Sequence, residues 1–300
     1  MGLRTLDKSQ WYIYTKIETL TDLQNFIVSI GTKDYLFRGL NDASFKQYSS
    51  IQRFWNQHDL QLPFSSFVST STIKAIPIFL HYFRTYPQSE LTILSFLQHY
   101  GYPTPLLDFT TSLDVALFFA SDKARPYQGH NGYTDYISVY AVQNEPNQGD
   151  LINFRTIITN LNVPVSRASL INYSTVSAWK QIIALNDNGA PQGSYLLGLQ
   201  QNPNIQAQKG LFILNPSEER ILEDEFDGVS AATCKCISTN RLFYGKMMCW
   251  DIRKDLLPSL VSYLNGKKIN SATMYPDPNY QAIKTDLENL RDSLIKPFII

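Results

Sequence analysis

Two short polar stretches, Phe37-Arg38-Gly39 and residues 98–112, hold most of the side chains here that could do chemistry. Arg38 follows the apolar run Tyr35-Leu36-Phe37, so it should close a short strand and aim its planar fork of donors into a cleft, where it would suit a phosphate or carboxylate. Gly39 lets a ligand or another backbone come close. The structural alternative is an Arg38 that pairs with a carboxylate such as Asp108. In the second stretch, Gln98-His99-Tyr100-Gly101-Tyr102-Pro103-Thr104 ends a helix in a rigid turn. Leu106-Leu107-Asp108-Phe109-Thr110-Thr111-Ser112 then supplies a carboxylate behind two leucines and three consecutive hydroxyls before the next helix. Those hydroxyls either cap that helix or, with its free amides, hold an anion or a ribose hydroxyl. His99 is a candidate general base, with a core histidine as the alternative.

Periodicity gives the elements that must position these groups. Residues 11–17 alternate as a strand. Thr21 and Gln24 form a capping box opening a helix with the face Leu23, Phe26, Ile27 and Ile30, closed by Gly31. Residues 34–38 are a short strand. Residues 50–100 read as mostly helical, with breaks at Pro77 and Pro87 and a cap at Ser89. A further helix starts near Ser112, with Asp114 in its first turn and Leu113, Ala116, Leu117 and Ala120 as its buried stripe. Residues 136–142, 211–214 and 246–252 read as strands, 144–149 as a turn, and 255–264 and 279–290 as helices. Residues 150–205 show no clear pattern. The expected fold is α+β: a single large domain, its helical N-terminal half packed on a mixed, mostly antiparallel sheet.

Composition narrows the function. Lys+Arg and Asp+Glu both count 26 in 300 residues, and no strong basic run occurs, which argues against general nucleic-acid binding. The three cysteines, Cys234, Cys236 and Cys249, and the four scattered histidines offer no four-ligand zinc set, so buried free thiols and no metal are expected. So few cysteines fit a reducing compartment. No stretch reaches the roughly 18 apolar residues of a spanning helix, and the N-terminus lacks a signal-peptide apolar region. A cytoplasmic protein without membrane association is expected.

Phe37-Arg38-Gly39, Gln98-His99-Tyr100-Gly101-x-Pro103-Thr104, and Leu106-Leu107-Asp108-x-Thr110 with Ala116-Leu117-x-Phe119-Ala120 resemble the FRG-domain family in order and spacing. Gln208-x-Gly210-Leu211-Phe212 and the Tyr275-Pro276-Asp277 turn extend the resemblance over residues 10–285, with 286–300 as a C-terminal tail. The family is found mainly in bacteria and their mobile elements. This chain departs from it twice. Leu40 stands where the family usually has Gln, and Pro105 where it usually has Arg.

The order of motifs is also similar to that of the Arg–Ser–Glu class of ADP-ribosyltransferases. That resemblance implies NAD as a substrate rather than a resident cofactor. Arg38 would hold the diphosphate or ribose, Thr110, Thr111 and Ser112 would orient the nicotinamide ribose, and Gln208 would replace the catalytic Glu. Losing that charge would remove roughly 3–4 kcal/mol of electrostatic stabilisation, about two to three orders of magnitude in rate. The implied role is a toxin, effector or phage-defence factor that has a nucleotide-type ligand and a protein target or antitoxin-like partner. On this reading Arg38, Gln208 and His99 are the catalytic candidates. Gly39, Gln98, Thr104, Asp108, Thr110, Thr111 and Ser112 are the ligand-binding ones. The alternative is a non-catalytic ligand-binding or protein-interaction module.

Overall fold

The computed structural model describes residues 8–33, 35–58, 63–84, 87, 90–130, 132–143, 183–185, 202–215, 217–225 and 247–295. Cys234, Cys236, Ser89 and the 144–149 turn lie outside them, as does most of 150–205.

Among the described residues seven strands form one sheet, in the order β1 (Ile13–Ile17), β7 (Met248–Arg253), β4 (Tyr136–Gln143), β2 (Tyr35–Leu40), β3 (Leu106–Thr110), β6 (Gly210–Leu214), β5 (Ile183–Leu185). Only β1 and β7 run parallel; the other pairs are antiparallel. Side-chain alternation sorts the sheet onto two faces. In β4, Ile137, Val139 and Ala141 pack with helices α1 (Leu20–Ile30), α5 (Leu113–Ser121) and α8 (Leu257–Gly266). The intervening Tyr140 and Val142 join Tyr12, Leu36, Phe109, Leu211 and Ile213 on the opposite face. Helices α2 (Ser50–His58), α3 (Phe64–Phe83), α4 (Glu90–His99) and α10 (Tyr280–Ile295) build a third cluster against Leu106, Phe212 and Leu214 of β3 and β6. Short helices α6 (Pro203–Ala207), α7 (Leu222–Glu225) and α9 (Ser271–Met274) complete the set. The protein is thus α+β, as periodicity implied, and α5 buries the expected stripe of Leu113, Ala116, Leu117 and Ala120.

Local expectations are corrected at several points. The cap of α1 is Thr19, not Thr21. Its Oγ accepts from Asp22 N at 3.1 Å and donates to the Asp22 carboxylate at 2.6 Å, so a carboxylate at Asp22 rather than the Gln24 amide completes the cap. Gly31 follows that helix in right-handed geometry, φ −62°, and its freedom to go left-handed is unused. Pro77 does not break α3. It lies exposed on the solvent side, and the displaced carbonyl four residues back belongs to Ile73, itself exposed, where water can replace the lost partner. The last helix runs to Ile295, past its expected end at residue 290, with Leu287 and Ile295 in the core.

Gly39 sits where β2 meets α5. A Cβ there would lie 1.9 Å from Ala116 O and 2.7 Å from Ala120 N, so the glycine serves backbone approach between strand and helix. Ala116 and Ala120, one turn apart, keep that helix face small enough for the contact.

A polar group is sealed under the sheet. The Lys8 ammonium, fully buried, donates to Asp251 at 2.7 Å and to Ser138 Oγ at 3.0 Å, while Tyr14 and Ser138 also donate to the Asp251 carboxylate. Cys249 lies beside it as a buried free thiol, its pKa pushed up by burial and the Asp251 charge. No helix among the described residues is long and apolar enough to cross a membrane.

Candidate functional site

The cleft opens where two strands part. β2 pairs with β4 over its whole length but with β3 at the single pair Phe37↔Thr110. Beyond that pair the strands splay, and Arg38 spans the gap: its Nη1 donates to the Asp108 main-chain carbonyl at 2.8 Å. The resulting concavity encloses about 460 Å³, within the range of small-molecule sites.

Helix α4 supplies one wall. It ends in a Schellman turn: Tyr102 N donates to Leu97 O, Gly101 N donates to Gln98 O, and Gly101 adopts φ +83°, which favours glycine. This reversal puts Gln98 and His99 on the cleft and leads the chain into β3. Ser50 and Thr104 hydroxyls donate to Gln98 Oε1 at 3.3 and 2.5 Å, which turns the amide nitrogen outward to the Asp108 carboxylate at 2.7 Å. Gln98 and Thr104 therefore orient Asp108. The same docking places α2 over the cleft, since Ile51 N donates to Thr104 O. Two residues on, Arg53 enters the site. Nothing in the sequence around Arg53 marked it; its place comes from where α2 docks.

The site's electrostatics are unusual. Among the described residues Arg38 has no ion-pair partner. Its Nε is buried without a partner, and its guanidinium lies 6.0 Å from the Phe109 ring centroid. Burial lowers its pKa to about 10, with Arg53 adding repulsion and Asp108 opposing. Arg53 is exposed at the cleft rim, its Nη1 donating to Tyr48 O at 2.8 Å; the protein around it lowers its pKa against the pull of Asp108. Asp108 is open to the water of the cleft but walled by protein on its other sides. That enclosure raises its pKa more than Arg38, Gln98 and Arg53 lower it. Two cations and one oriented carboxylate thus face the same space, each less neutralised than a close pair would make it.

His99 lines the cleft with a buried Nε2 that has no partner. Burial pushes its pKa down to about 4, so the ring is neutral near pH 7 and is a poor proton acceptor there, though it remains a hydrogen-bonding group. The stability consequence has a definite sign. An unfolded imidazole takes its proton near pH 6.5, the folded one only near 4. Between those values the unfolded chain binds more protons, so stability is full above about pH 6.5 and falls with acid by up to roughly 3 kcal/mol. Urea midpoints at pH 7 and pH 4.5 should differ more in wild type than in His99→Phe; an unchanged difference would contradict the assignment.

The remaining candidates divide. Thr110 is buried; its hydroxyl donates to Gln208 O at 2.8 Å and accepts from Ser112 N at 3.1 Å, so it fixes the entry to α5. Thr111 is exposed, and Ser112 stands at the cap of α5 without a side-chain cap bond. Gln208 lines the cleft, but its amide nitrogen donates to Met274 O at 2.9 Å. That bond ties the 203–208 segment to the turn carrying Tyr275. Asp277 secures the same turn: it accepts from Tyr100 OH, and its backbone N–H donates to Asn204 Oδ1. Tyr275 and Tyr280, ring centroids 6.1 Å apart, form the far wall. Tyr275 was visible only as part of a turn motif, and Tyr280 as a helix residue. Among the described residues no cluster of His, Cys, Asp or Glu could hold a metal ion.

Residues 33–129 match the family model described as FRG domain. No curated protein and no solved structure matches the chain. Phe37-Arg38-Gly39, the 98–104 turn and Asp108 all fall within the matched segment, and Arg38, Gly39, Gln98 and Asp108 line the cleft: this chain carries an FRG domain.

Proposed function

We propose that the cleft binds a nucleotide-type anion, its phosphates against Arg38 and Arg53 and its base against Tyr275 and Tyr280. One observation carries the reading: the Arg38 guanidinium is held in the cleft wall with no carboxylate of the described residues bonded to it and with a buried Nε unpaired. A guanidinium kept so costs desolvation unless an anion arrives to share it. Tyrosine rings offer stacking surface to a base of any kind.

The finer reading is that the nucleotide is NAD and the reaction ADP-ribosyl transfer, in a bacterial toxin, effector or phage-defence role in the cytoplasm, acting on a protein target or checked by an antitoxin-like partner. In it the negative charge facing a cationic ribose sits on Asp108 rather than at Gln208, whose amide is committed to Met274. A second reading, a non-catalytic binding or interaction module, draws on that same commitment and on Leu40 and Pro105 at positions where the family usually has a donor and a cation.

A thermal-shift series with NAD, ADP-ribose and ADP tests binding. Ligand at a hundredfold its Kd stabilises by about 2.7 kcal/mol, and Arg38→Ala should lose most of that shift while itself melting within a few degrees of wild type. Arg38→Lys should behave as a partial loss, since it keeps charge without the fork. A sharp drop in melting temperature in both variants, with no ligand shift in wild type, would assign Arg38 to the fold instead. Nicotinamide release from NAD, followed by chromatography, separates the enzyme from the module.

A further inference from the structure

Within the cleft the charges are not mixed at random. Arg38 and Arg53 provide the positive end, and Asp108 provides an acceptor next to it, its own main-chain carbonyl held by Arg38 at 2.8 Å. An ionised carboxylate only accepts hydrogen bonds. One of its oxygens, Oδ2, takes the Gln98 amide at 2.7 Å, and no hydrogen bond from another described side chain occupies the other. The Gln98 amide is held from its oxygen side by the Thr104 hydroxyl at 2.5 Å, with Ser50, whose one proton is shared with Thr104 O, at 3.3 Å. The carboxylate, which also takes a bond from its own backbone N–H, is therefore held in orientation and keeps spare acceptor lone pairs toward the ligand space, where Asp108 is open to water. A phosphate placed there would be repelled. A ligand that satisfies both ends must carry an anion and, one short step along, a hydroxyl donor.

Resting on the nucleotide reading above, we infer that Asp108 is the specificity residue of the cleft: its carboxylate accepts from the ribose hydroxyls, so the site selects ribonucleotides over deoxynucleotides and over bare phosphate. Acidic residues serve ribose hydroxyls in this way in other nucleotide folds. A site built to bond a hydroxyl also rejects the analogue lacking it more strongly than an apolar pocket could, because its acceptor would be left unpaired.

Calorimetric titration of the full chain with ADP, 2′,3′-dideoxy-ADP and inorganic pyrophosphate tests this. Wild type should bind ADP about ten- to hundredfold more tightly than the dideoxy analogue, the worth of a hydrogen bond to a charged group. Asp108→Ala should bring the two within about twofold by weakening ADP alone, with its fold checked by circular dichroism. Should that variant not fold, the wild-type ratio decides by itself. Equal binding of ADP and its dideoxy analogue by wild type would overturn the inference and leave phosphate binding intact. No binding of any of the three would overturn both.

Discussion

Gly39→Ala should cost at least about 3 kcal/mol, the upper end of ordinary overpacking or beyond it. The methyl group would stand 1.9 Å from Ala116 O and 2.7 Å from Ala120 N, and both are backbone atoms of α5. No rotamer change relieves such a contact; strand β2 or helix α5 must move. A melting temperature lowered by about 5 °C or more is expected. Gly266→Ala is the control, since a Cβ there meets nothing within 4 Å. Because Arg38 precedes Gly39, separation of strand and helix should also displace the guanidinium from the Asp108 carbonyl and weaken ligand binding. A variant melting within a degree of wild type would show that β2 and α5 do not need this approach.

Lys8→Met should destabilise the chain by about 3–5 kcal/mol, because it leaves the Asp251 carboxylate fully buried without its cation. Tyr14 and Ser138 would still donate to Asp251, but neither brings charge. Lys8→Met combined with Asp251→Asn should recover a large part of the loss by removing the stranded charge, a coupling that denaturant melts of the two single variants and the double variant measure. Additive losses would mean that the ammonium and carboxylate act independently.

How legible the molecule was in its sequence depends on how local each cause was. The stripe Leu113, Ala116, Leu117, Ala120 specifies α5, and the alternation of residues 136–142 specifies β4, because one element's periodicity decides which side is buried. Pro77 misled because whether a proline breaks a helix depends on whether the displaced carbonyl can reach water, and the exposure of Ile73 is a tertiary fact. The Lys8–Asp251 pair joins residues far apart in sequence and left no local trace. In the site, Arg38, Gln98, His99 and Asp108 could be located because each ends or follows an apolar element, a position that delivers a polar group to an edge. Arg53 and Tyr280 could not, since each is one polar or aromatic residue on an amphipathic helix, and only the docking of that helix brings it to the cleft. The roles were harder to read than the places. Thr110 and Gln208 look like ligand groups in sequence, yet in the fold their hydrogen bonds join β3 to the 203–208 segment and that segment to Met274.

The central claim is that Arg38 holds a nucleotide in this cleft, and the most direct measurement is paired isothermal titration of wild type and Arg38→Ala with NAD. The account predicts one saturable site per chain in wild type and an affinity lower by about ten- to hundredfold in the variant, the loss of a charge-assisted hydrogen bond, while both proteins melt within a few degrees of each other. Heat signals indistinguishable between the two folded proteins, or no binding by wild type at millimolar-range ligand, about the weakest affinity such a site would show, would contradict it.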